Sequence, residues 1–211
     1  MTTLTTHDRD QARVQRVLSL LAGRSSPVGT VLDLACRTGV FMSALHDKGI
    51  AVTGVEGRIE NVQQIAPHLR PSVIHSDVRD LRARLTGPFD ATLCLGILYH
   101  LDAEDAVHLL QDIAVITNGA LIIDTHVSTT TAEMTTVDGR VYYGSRYFEG
   151  DASDFRWAAL GNQNSWWFTE ESLMTALAEA GFSGARVIPG AAYADELPSR
   201  RWFITESGLT Q

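Results

Sequence analysis

Cysteine is scarce in this sequence. The two cysteines, Cys36 and Cys94, both lie in apolar stretches that are predicted to be the ends of buried strands. Such surroundings are typical of small core side chains and do not favour a disulfide or redox chemistry. The seven histidines are scattered without the spacing of metal ligands, so no metal site is expected.

Positive charge is also in short supply. The chain has 17 Lys and Arg against 25 Asp and Glu, which gives a formal net charge of −8. A protein that holds a phosphate backbone needs clustered Lys and Arg, because affinity comes from the release of counterions. Nucleic acid is therefore disfavoured as a partner, and a small-molecule substrate is favoured; the composition leaves the oligomeric state open.

Long apolar runs are missing as well. No run approaches the roughly 18 to 20 residues of a membrane helix, and the first twenty residues contain several charged side chains, unlike a signal peptide. We therefore expect a cytoplasmic protein without a membrane partner. The 211 residues and 45% hydrophobic content predict one globular domain over residues 1–211 that includes an N-terminal helix within 1–24.

In the first 125 residues, segments with a helical pattern of apolar residues alternate with short strand-like apolar runs. Helical spacing is found at 8–21, 40–45, 58–69 and 103–116, and short β-branched or leucine-rich runs at 30–34, 51–55, 72–75, 91–95 and 120–123. This order predicts parallel strands with right-handed helical crossovers, in a three-layer α/β/α sandwich. A further helix, capped by Thr169 and ending near Gly181, precedes two predicted strands near 185–188 and 201–205, which we expect to pair antiparallel at one edge.

Aromatic residues are concentrated in the segment 127–168. This segment contains nine of the chain's sixteen Phe, Trp and Tyr residues and has no sustained hydrophobic period. We interpret it as an irregular aromatic lid over the substrate, since long irregular segments in compact domains are usually functional. Tyr142, Tyr143 and Tyr147 are expected to face the pocket. Trp166, Trp167 and Phe168 are better explained as core anchors of the lid, although aromatic walls also attract cations.

Acidic residues follow three of the predicted strands. Asp33 opens a turn of small residues after the first strand, Glu56 follows the second and Asp77 follows the third. Ligands of open α/β sheets bind outside the carboxyl ends of the strands. The spacing from Asp33 to Glu56 suits a strand-turn-helix-strand return that places a carboxylate beside the hydroxyls of a ribose. By contrast, Asp90 is expected to serve only a structural turn.

These segments together resemble a class I S-adenosylmethionine-dependent methyltransferase with a Rossmann-like fold. The resemblance covers about residues 28–126, in the runs Val31-Leu32-Asp33-Leu34-Ala35-Cys36-Arg37-Thr38-Gly39, Val55-Glu56, Ser76-Asp77-Val78 and Phe89-Asp90 through Leu101, and weakly Glu179-Ala180-Gly181-Phe182. It implies a seven-stranded, mostly parallel sheet of order 3-2-1-4-5-7-6, with strand 7 antiparallel. It also implies S-adenosyl-L-methionine as cofactor, laid across strands 1, 2 and 4. The implied binding residues are Asp33, Ala35, Cys36, Arg37, Gly39, Glu56, Gly57, Asp77, Val78, Leu95 and Gly96.

The turn after the first strand departs from the family pattern. Ala35 and Arg37 stand where the family most often has glycine, and only Gly39 remains. Ala35 costs little if its φ is negative, whereas Arg37 is strained if its φ is positive. The Arg37 guanidinium is a candidate for binding the carboxylate of the cofactor. A relative that has lost cofactor binding is the alternative.

Candidate catalytic residues follow the fourth and fifth strands. His100, next to Tyr99, is a candidate general base, since imidazole titrates near neutral pH; the alternative is that it packs against the next helix. His126 is a second candidate, with Asp124 on the same side of the strand as its orienting partner. Tyr143 is the candidate from the lid.

The sequence therefore predicts a transferase, a methyltransferase of small molecules that works by in-line displacement. The implied context is biosynthesis, in bacterial specialised metabolism. An alternative keeps the cofactor but cyclises it, releasing methylthioadenosine and a small cyclic amino acid. A nicotinamide dehydrogenase is disfavoured because no G-x-G-x-x-G follows the first strand, and a non-catalytic binding module is the remaining option.

Overall fold

Two β-sheets organise the chain in a computed structural model that describes residues 5–131, 133–150, 160–190 and 197–207. The helices are α1 (Thr6–Ala22), α2 (Val40–His46), α3 (Ile59–Val62), α4 (Leu81–Arg84), α5 (Ala103–Ile116) and α6 (Glu170–Glu179). The strands are β1 (Thr30–Leu34), β2 (Ala51–Glu56), β3 (Val73–His75), β4 (Phe89–Leu95), β5 (Thr117–His126), β6 (Glu133–Val137), β7 (Arg140–Phe148), β8 (Asn164–Phe168), β9 (Phe182–Ile188) and β10 (Arg200–Ser207).

The larger sheet has seven strands in the order β3-β2-β1-β4-β5-β10-β9. Strands β3, β2, β1, β4 and β5 are parallel, and β10 runs antiparallel to both β5 and β9. The predicted order 3-2-1-4-5-7-6 is therefore confirmed, with β9 and β10 as its sixth and seventh strands. Asp90 takes the structural role expected of it, since its Oδ2 accepts hydrogen bonds from the Gly29 and Thr30 amides at the opposite end of the sheet from the predicted site.

Apolar side chains cover both faces of this sheet. On β1, Val31 packs in one core cluster with residues of α1 and α2, while Leu32 and Leu34 pack in the other with residues of α5 and α6. Successive side chains of a strand point to opposite faces, so a continuous apolar strand needs helices on both sides. The three-layer α/β/α arrangement follows. Among the described helices, none is long and apolar enough to cross a membrane.

The helix predicted at 58–69 is much shorter than expected. Only Ile59–Val62 is α-helical, and turns follow it. Pro67 prevents a helix that continues to Leu69, because proline lacks an amide hydrogen and disfavours the helical conformation of the residue before it. The apolar anchors of the predicted helix keep their role, since Ile65 and Leu69 are both buried. The predicted cap of α6 is confirmed by the hydrogen bond from the Ser172 amide to Thr169 Oγ1.

The segment 127–168 is not irregular where it is described. It forms a three-stranded antiparallel sheet, β6-β7-β8. The strand period of β7 is hidden in the sequence because Val141, Tyr143 and Tyr147, on its outward face, are as apolar as the residues that face inward. Phe155 and Trp157, which were counted in the predicted lid, lie outside the described residues.

The inward face of this small sheet is plain core, as expected for Trp166 and Phe168. Tyr142 belongs to it too, and the prediction that Tyr142 faces the pocket is wrong. Its ring packs edge-on against Phe168, and its hydroxyl donates to Glu179 Oε2 at 2.6 Å. Tyr142 therefore joins the small sheet to α6.

Candidate functional site

A cavity of about 420 Å³ opens at the carboxyl ends of β1, β2 and β4. Most of the predicted cofactor residues line it, together with two of the predicted catalytic residues. These are Ala35, Arg37, Glu56, Gly57, Asp77, Val78, Leu95, Gly96, Tyr99 and His100. Asp33, Cys36, Gly39, His126 and Tyr143 are not among the lining residues. The structure adds residues that the sequence did not indicate, chiefly Arg13 of α1, Asn61, Arg79, Leu160 and Arg200.

Glu56 is held at the end of β2 with both carboxylate oxygens engaged. Oε2 accepts from the Arg37 amide at 2.8 Å, and Oε1 accepts from the Arg58 amide at 2.8 Å and from Asn61 Nδ2 at 3.1 Å. The residue is only 4% exposed, yet it lines the cavity. Since a carboxylate offers about four acceptor positions, these three contacts orient Glu56 without exhausting it.

The turn after β1 adopts the left-handed conformation at three positions. The φ angles are 51° at Ala35, 52° at Arg37 and 78° at Gly39. The condition under which Ala35 would cost little is therefore not met, and Arg37 has the strain considered for a positive φ; each non-glycine residue costs about 1 to 2 kcal/mol there. The Arg37 amide bond to Glu56 helps to hold this conformation.

Cys36 and Gly39 act in the packing of this turn, not on the cavity wall. The amide of Cys36 donates to the Val55 carbonyl at 3.0 Å, and its thiol is directed at Gly54, where a Cβ would come within 2.7 Å of Sγ. Burial raises the pKa of the Cys36 thiol. Gly39 lies against Ile65, which would be 3.2 Å from a Cβ. The turn is thus fixed from behind by the core.

Asp33 is a deeply buried carboxyl behind the turn, at 1% exposure. Its Oδ2 has no hydrogen-bond partner among the described residues. Burial raises the pKa of Asp33 to about 7, although Arg13 opposes the shift.

Replacing Asp33 with asparagine is expected to make the protein more stable at alkaline pH. Because the pKa of Asp33 is raised on folding, the native state loses stability as pH rises from about 4 to about 7, where the buried group is forced to ionise. Asp33→Asn should therefore increase the free energy of unfolding by on the order of 4 kcal/mol at pH 8, with a much smaller gain at pH 4.5. Urea unfolding at both pH values measures this, and identical pH dependence of the two proteins would contradict it.

Asp77 has both a structural role and a position on the cavity wall. It caps the short 3-10 turn Val78–Asp80 by accepting from the Arg79 amide, and it lines the cavity. Burial opposes its ionisation, but the hydrogen bonds and charge of Arg79 outweigh burial and lower its pKa. Arg79 also donates to the Leu160 carbonyl at 2.7 Å, and the Leu160 side chain lies directly over Gly57. The end of the 127–168 segment is thereby fastened to the rim of the cavity.

Asp124 is fully buried between two arginines. Arg13 Nε donates to Oδ2 at 2.9 Å, and Arg200 donates to Oδ1 through Nε at 2.6 Å and to Oδ2 through Nη2 at 2.9 Å. The prediction that Asp124 orients His126 as a general base is therefore wrong, because the hydrogen bonds of Asp124 go to guanidinium groups and both ring nitrogens of His126 contact other residues. His126 instead contacts Ser199 Oγ through Nδ1 at 2.7 Å, and burial and the charge of Arg200 lower its pKa to about 4.

Removing the carboxylate that Arg13 and Arg200 share is expected to destabilise the fold strongly. Asp124→Ala leaves two nearly buried guanidinium groups without their shared partner, which should cost about 3 to 5 kcal/mol of unfolding free energy. Glu133→Ala, which breaks the exposed pair with Arg146, is the matched control and should cost less than about 1 kcal/mol. Thermal or urea unfolding measures both, and similar small losses in the two variants would contradict the assignment.

His100 is oriented by a carboxylate that lies 49 positions later in the sequence. Its Nδ1 is 2.9 Å from Glu149 Oε1, which also accepts from Ser165 Oγ at 2.7 Å. Burial opposes ionisation of Glu149, but the hydrogen bonds from His100 and Ser165 outweigh it and lower its pKa. A histidine with a fixed acidic partner and a position on the cavity wall has the arrangement of a general base and its orienting group.

The loop that carries Tyr99 and His100 is fastened to the small sheet. Trp167 Nε1 donates to the Tyr99 carbonyl at 3.1 Å, and Asn162 Nδ2 donates to the His100 carbonyl at 2.8 Å. Trp167 is itself stacked between His126 and Tyr147, at 4.8 and 4.7 Å between ring centroids. Tyr143 lies on the exposed outer face of β7, at 46% exposure, apart from the cavity lining.

Comparison with known proteins agrees with this arrangement. Residues 6–186 match the family described as a methyltransferase domain. Over 122 residues the chain is 32% identical to the ubiquinone biosynthesis O-methyltransferase of Xylella fastidiosa (strain 9a5c), covering 53% of this chain and 48% of that protein. The chain thus spans about half the length of the curated relatives it matches.

Solved structures share the fold over nearly the whole chain. The N-terminal domain of EvdMO1, crystallised in the presence of SAH and D-fucose, has a TM-score of 0.75 at 23% identity and covers 96% of this chain and 84% of that one. The sugar N-methyltransferase KedS8 from Streptoalloteichus sp ATCC 53650 has a TM-score of 0.69 at 22% identity, covering 96% and 89%.

Proposed function

Because the chain belongs to the S-adenosylmethionine-dependent methyltransferase family, we propose that it transfers a methyl group to a nucleophilic atom of a small molecule. The observation that carries the proposal is the buried but cavity-lining carboxylate of Glu56, oriented by two backbone amides and Asn61. Such a carboxylate suits the vicinal hydroxyls of a ribose. When bound, S-adenosylmethionine supplies a methyl group activated by the positively charged sulfur. Transfer of the methyl group releases a neutral thioether, which needs no further activation as a leaving group.

The residues present fit this donor. The Oδ2 of Asp33, which has no hydrogen-bond partner among the described residues, gives the site an orphaned acceptor behind the turn. Gly57 and Gly96 line the cavity without adding a side chain to it. Asp77 and Val78 are assigned to the adenine end, and Arg37 is assigned to the carboxylate of the donor. Leu160 over Gly57 supports the proposal that the 127–168 segment acts as a lid.

His100 is assigned to remove the proton of the acceptor. Glu149 holds Nδ1, which leaves Nε2 as the nitrogen that receives a proton, and the resulting imidazolium is stabilised by the carboxylate. Removal of one proton and positioning of the two reactants are the main tasks in such a transfer. This assignment favours methyl transfer over cyclisation of the donor, for which the structure provides no specific observation.

The substrate is proposed to be a small molecule of biosynthesis. Relatives of the chain are named for O-methylation in ubiquinone biosynthesis and for N-methylation of sugars, which supports an oxygen or nitrogen acceptor. We retain bacterial specialised metabolism as the proposed context. A gene neighbourhood without biosynthetic enzymes would contradict it.

The reaction is tested by incubating the purified protein with S-adenosylmethionine, alone and with a panel of phenols, amino sugars and hydroxy acids. Mass spectrometry is expected to show S-adenosylhomocysteine only when an acceptor is present, together with an acceptor heavier by one methylene. Release of methylthioadenosine without an acceptor would replace the proposal by the cyclase. Lack of any S-adenosylhomocysteine binding by calorimetry would remove it altogether.

A further inference from the structure

Leu160 lies on the cavity wall next to residues that follow β2 and β3. A Cβ added at Gly57, directly after Glu56, would overlap Leu160 Cδ1, so the leucine side chain packs against the backbone of Gly57. Leu160 is half-buried and lines the cavity of about 420 Å³. An apolar side chain from a distant part of the chain therefore borders the open volume beside the carboxylate of Glu56.

Arg79 fixes the backbone of Leu160. Its Nη2 donates to the Leu160 carbonyl at 2.7 Å and to Asp77 Oδ2 at 2.7 Å, which uses both hydrogens of that nitrogen. Its Nε donates to Asp77 Oδ1 at 3.0 Å, and its Nη1 donates to Asp105 Oδ2 at 3.3 Å. One guanidinium thus ties the carbonyl of Leu160 to the carboxylate that follows β3.

The chain on the other side of Leu160 is fixed as well. Gly161 has a φ of +64°, which L side chains rarely adopt, and the chain turns there. Asn162 Nδ2 then donates to the His100 carbonyl at 2.8 Å. Because the protein itself holds Leu160 in place, a ligand needs to order it little further, and a contact with it contributes more fully to affinity.

We propose that Leu160 is a further donor-binding residue, which packs on the adenosyl part of S-adenosylmethionine and is positioned there by Arg79. The inference rests on the proposed function, which assigns Glu56 to the ribose and Asp77 to the adenine end. Gly57 directly follows Glu56, and Arg79 is two positions after Asp77. An adenosyl group held by both carboxylates therefore lies beside the leucine that Gly57 and Arg79 contact, and burial of its apolar surface there is favourable.

The same contact explains the glycine at position 57. Gly57 is not among the residues with a positive φ, so its backbone conformation does not require glycine. The nearest backbone atom to an added Cβ is the Ser76 carbonyl oxygen at 3.6 Å, an ordinary van der Waals distance. Among the described residues, Leu160 is thus the one that excludes a side chain at Gly57.

The first test is Leu160→Ala, with calorimetric titration of S-adenosylhomocysteine and of methylthioadenosine, which keeps the adenosyl group but lacks the amino-acid part. We expect both dissociation constants to rise by the same factor, roughly five- to twentyfold, because the lost apolar contact is with the part that the two ligands share. Leu85→Ala is the matched control. Leu85 is a partly buried leucine that packs on the core and is not among the cavity-lining residues, so both dissociation constants should stay unchanged.

Gly57→Ala tests the position of Leu160 without truncating it. The added methyl group displaces the leucine and should weaken S-adenosylhomocysteine by a similar factor. The double variant Gly57→Ala/Leu160→Ala should bind no more weakly than Leu160→Ala alone, because the overlap is gone; such non-additivity is the mark of two residues in contact. A further loss in the double variant would mean that the donor itself occupies the place of Leu160 against Gly57, and would overturn the proposal.

Arg79→Gln tests the positioning role. It should weaken S-adenosylhomocysteine clearly less in the Leu160→Ala background than in the natural sequence, whereas Arg82→Gln, at an exposed arginine of α4, should have no effect in either. Equal losses in both backgrounds would refute positioning by Arg79. Unchanged affinity in Leu160→Ala, or tighter binding as expected of a competing side chain, would refute the donor contact. If the natural sequence binds neither ligand, the proposed function fails, and this inference fails with it.

Discussion

Replacing His100 with glutamine is expected to lower the turnover number by about 10²- to 10⁴-fold, the range contributed by a positioned general base. Binding of S-adenosylhomocysteine should be almost unchanged, because His100 is assigned to the acceptor and Glu56 to the ribose of the donor. The measurement is the rate of S-adenosylhomocysteine formation with the acceptor found in the panel, alongside a calorimetric titration. His108→Gln is the matched control, since His108 forms an exposed pair with Asp138 that resembles the His100 pair in chemistry only.

Replacing Glu149 with glutamine distinguishes a role of Glu149 in positioning and charging His100 from a role in stability alone. We expect a turnover number about tenfold lower, with an altered pH profile, because glutamine keeps a hydrogen bond to Nδ1 but loses the negative charge that stabilises the imidazolium. If Glu149 only stabilised the fold, its replacement would change the free energy of unfolding but not the dependence of the turnover number on pH. Full activity in His100→Gln, over the whole pH range, would contradict the assignment of the base.

Replacing Glu56 with glutamine should raise the dissociation constant of S-adenosylhomocysteine by about 10- to 100-fold. The amide group of glutamine places hydrogen-bond donors against the Arg37 or Arg58 amide, and it offers fewer acceptors to a ribose; each lost or unpaired buried contact costs about 1 to 3 kcal/mol. Calorimetric titration gives the dissociation constant directly.

Asp90→Asn is the control for Glu56→Gln. Asp90 also accepts two backbone amides, those of Gly29 and Thr30, but at the other end of the sheet. Its replacement should lower the unfolding free energy while leaving S-adenosylhomocysteine binding intact. Comparable losses of affinity in the two variants would mean that Glu56 supports the fold alone.

The larger sheet could be predicted from the sequence because its strands and helices have clear local periods. Glu56 and Asp77 were found because each directly follows a strand, and the carboxyl ends of parallel strands meet at one edge. The small sheet escaped prediction because the exposed face of β7 carries Val141, Tyr143 and Tyr147, which hides the apolar-polar alternation by which a half-buried strand is recognised.

The contacts that shape the acceptor side depend on distances that no local pattern encodes. Arg13 and Asp124 are 111 positions apart, and Asp124 and Arg200 are 76 apart. Arg13 looks like an ordinary charged residue of an amphipathic helix until the fold buries it against β5. The conformation of Ala35 was likewise not readable from its type, since its positive φ is imposed by the turn around it.

A crystal structure of the protein with S-adenosylhomocysteine tests the central claim most directly, namely that the cavity at the ends of β1, β2 and β4 is the donor site. The account predicts both ribose hydroxyls within hydrogen-bond distance of Glu56 and the adenine next to Asp77 and Val78. A ribose remote from Glu56 would contradict the account.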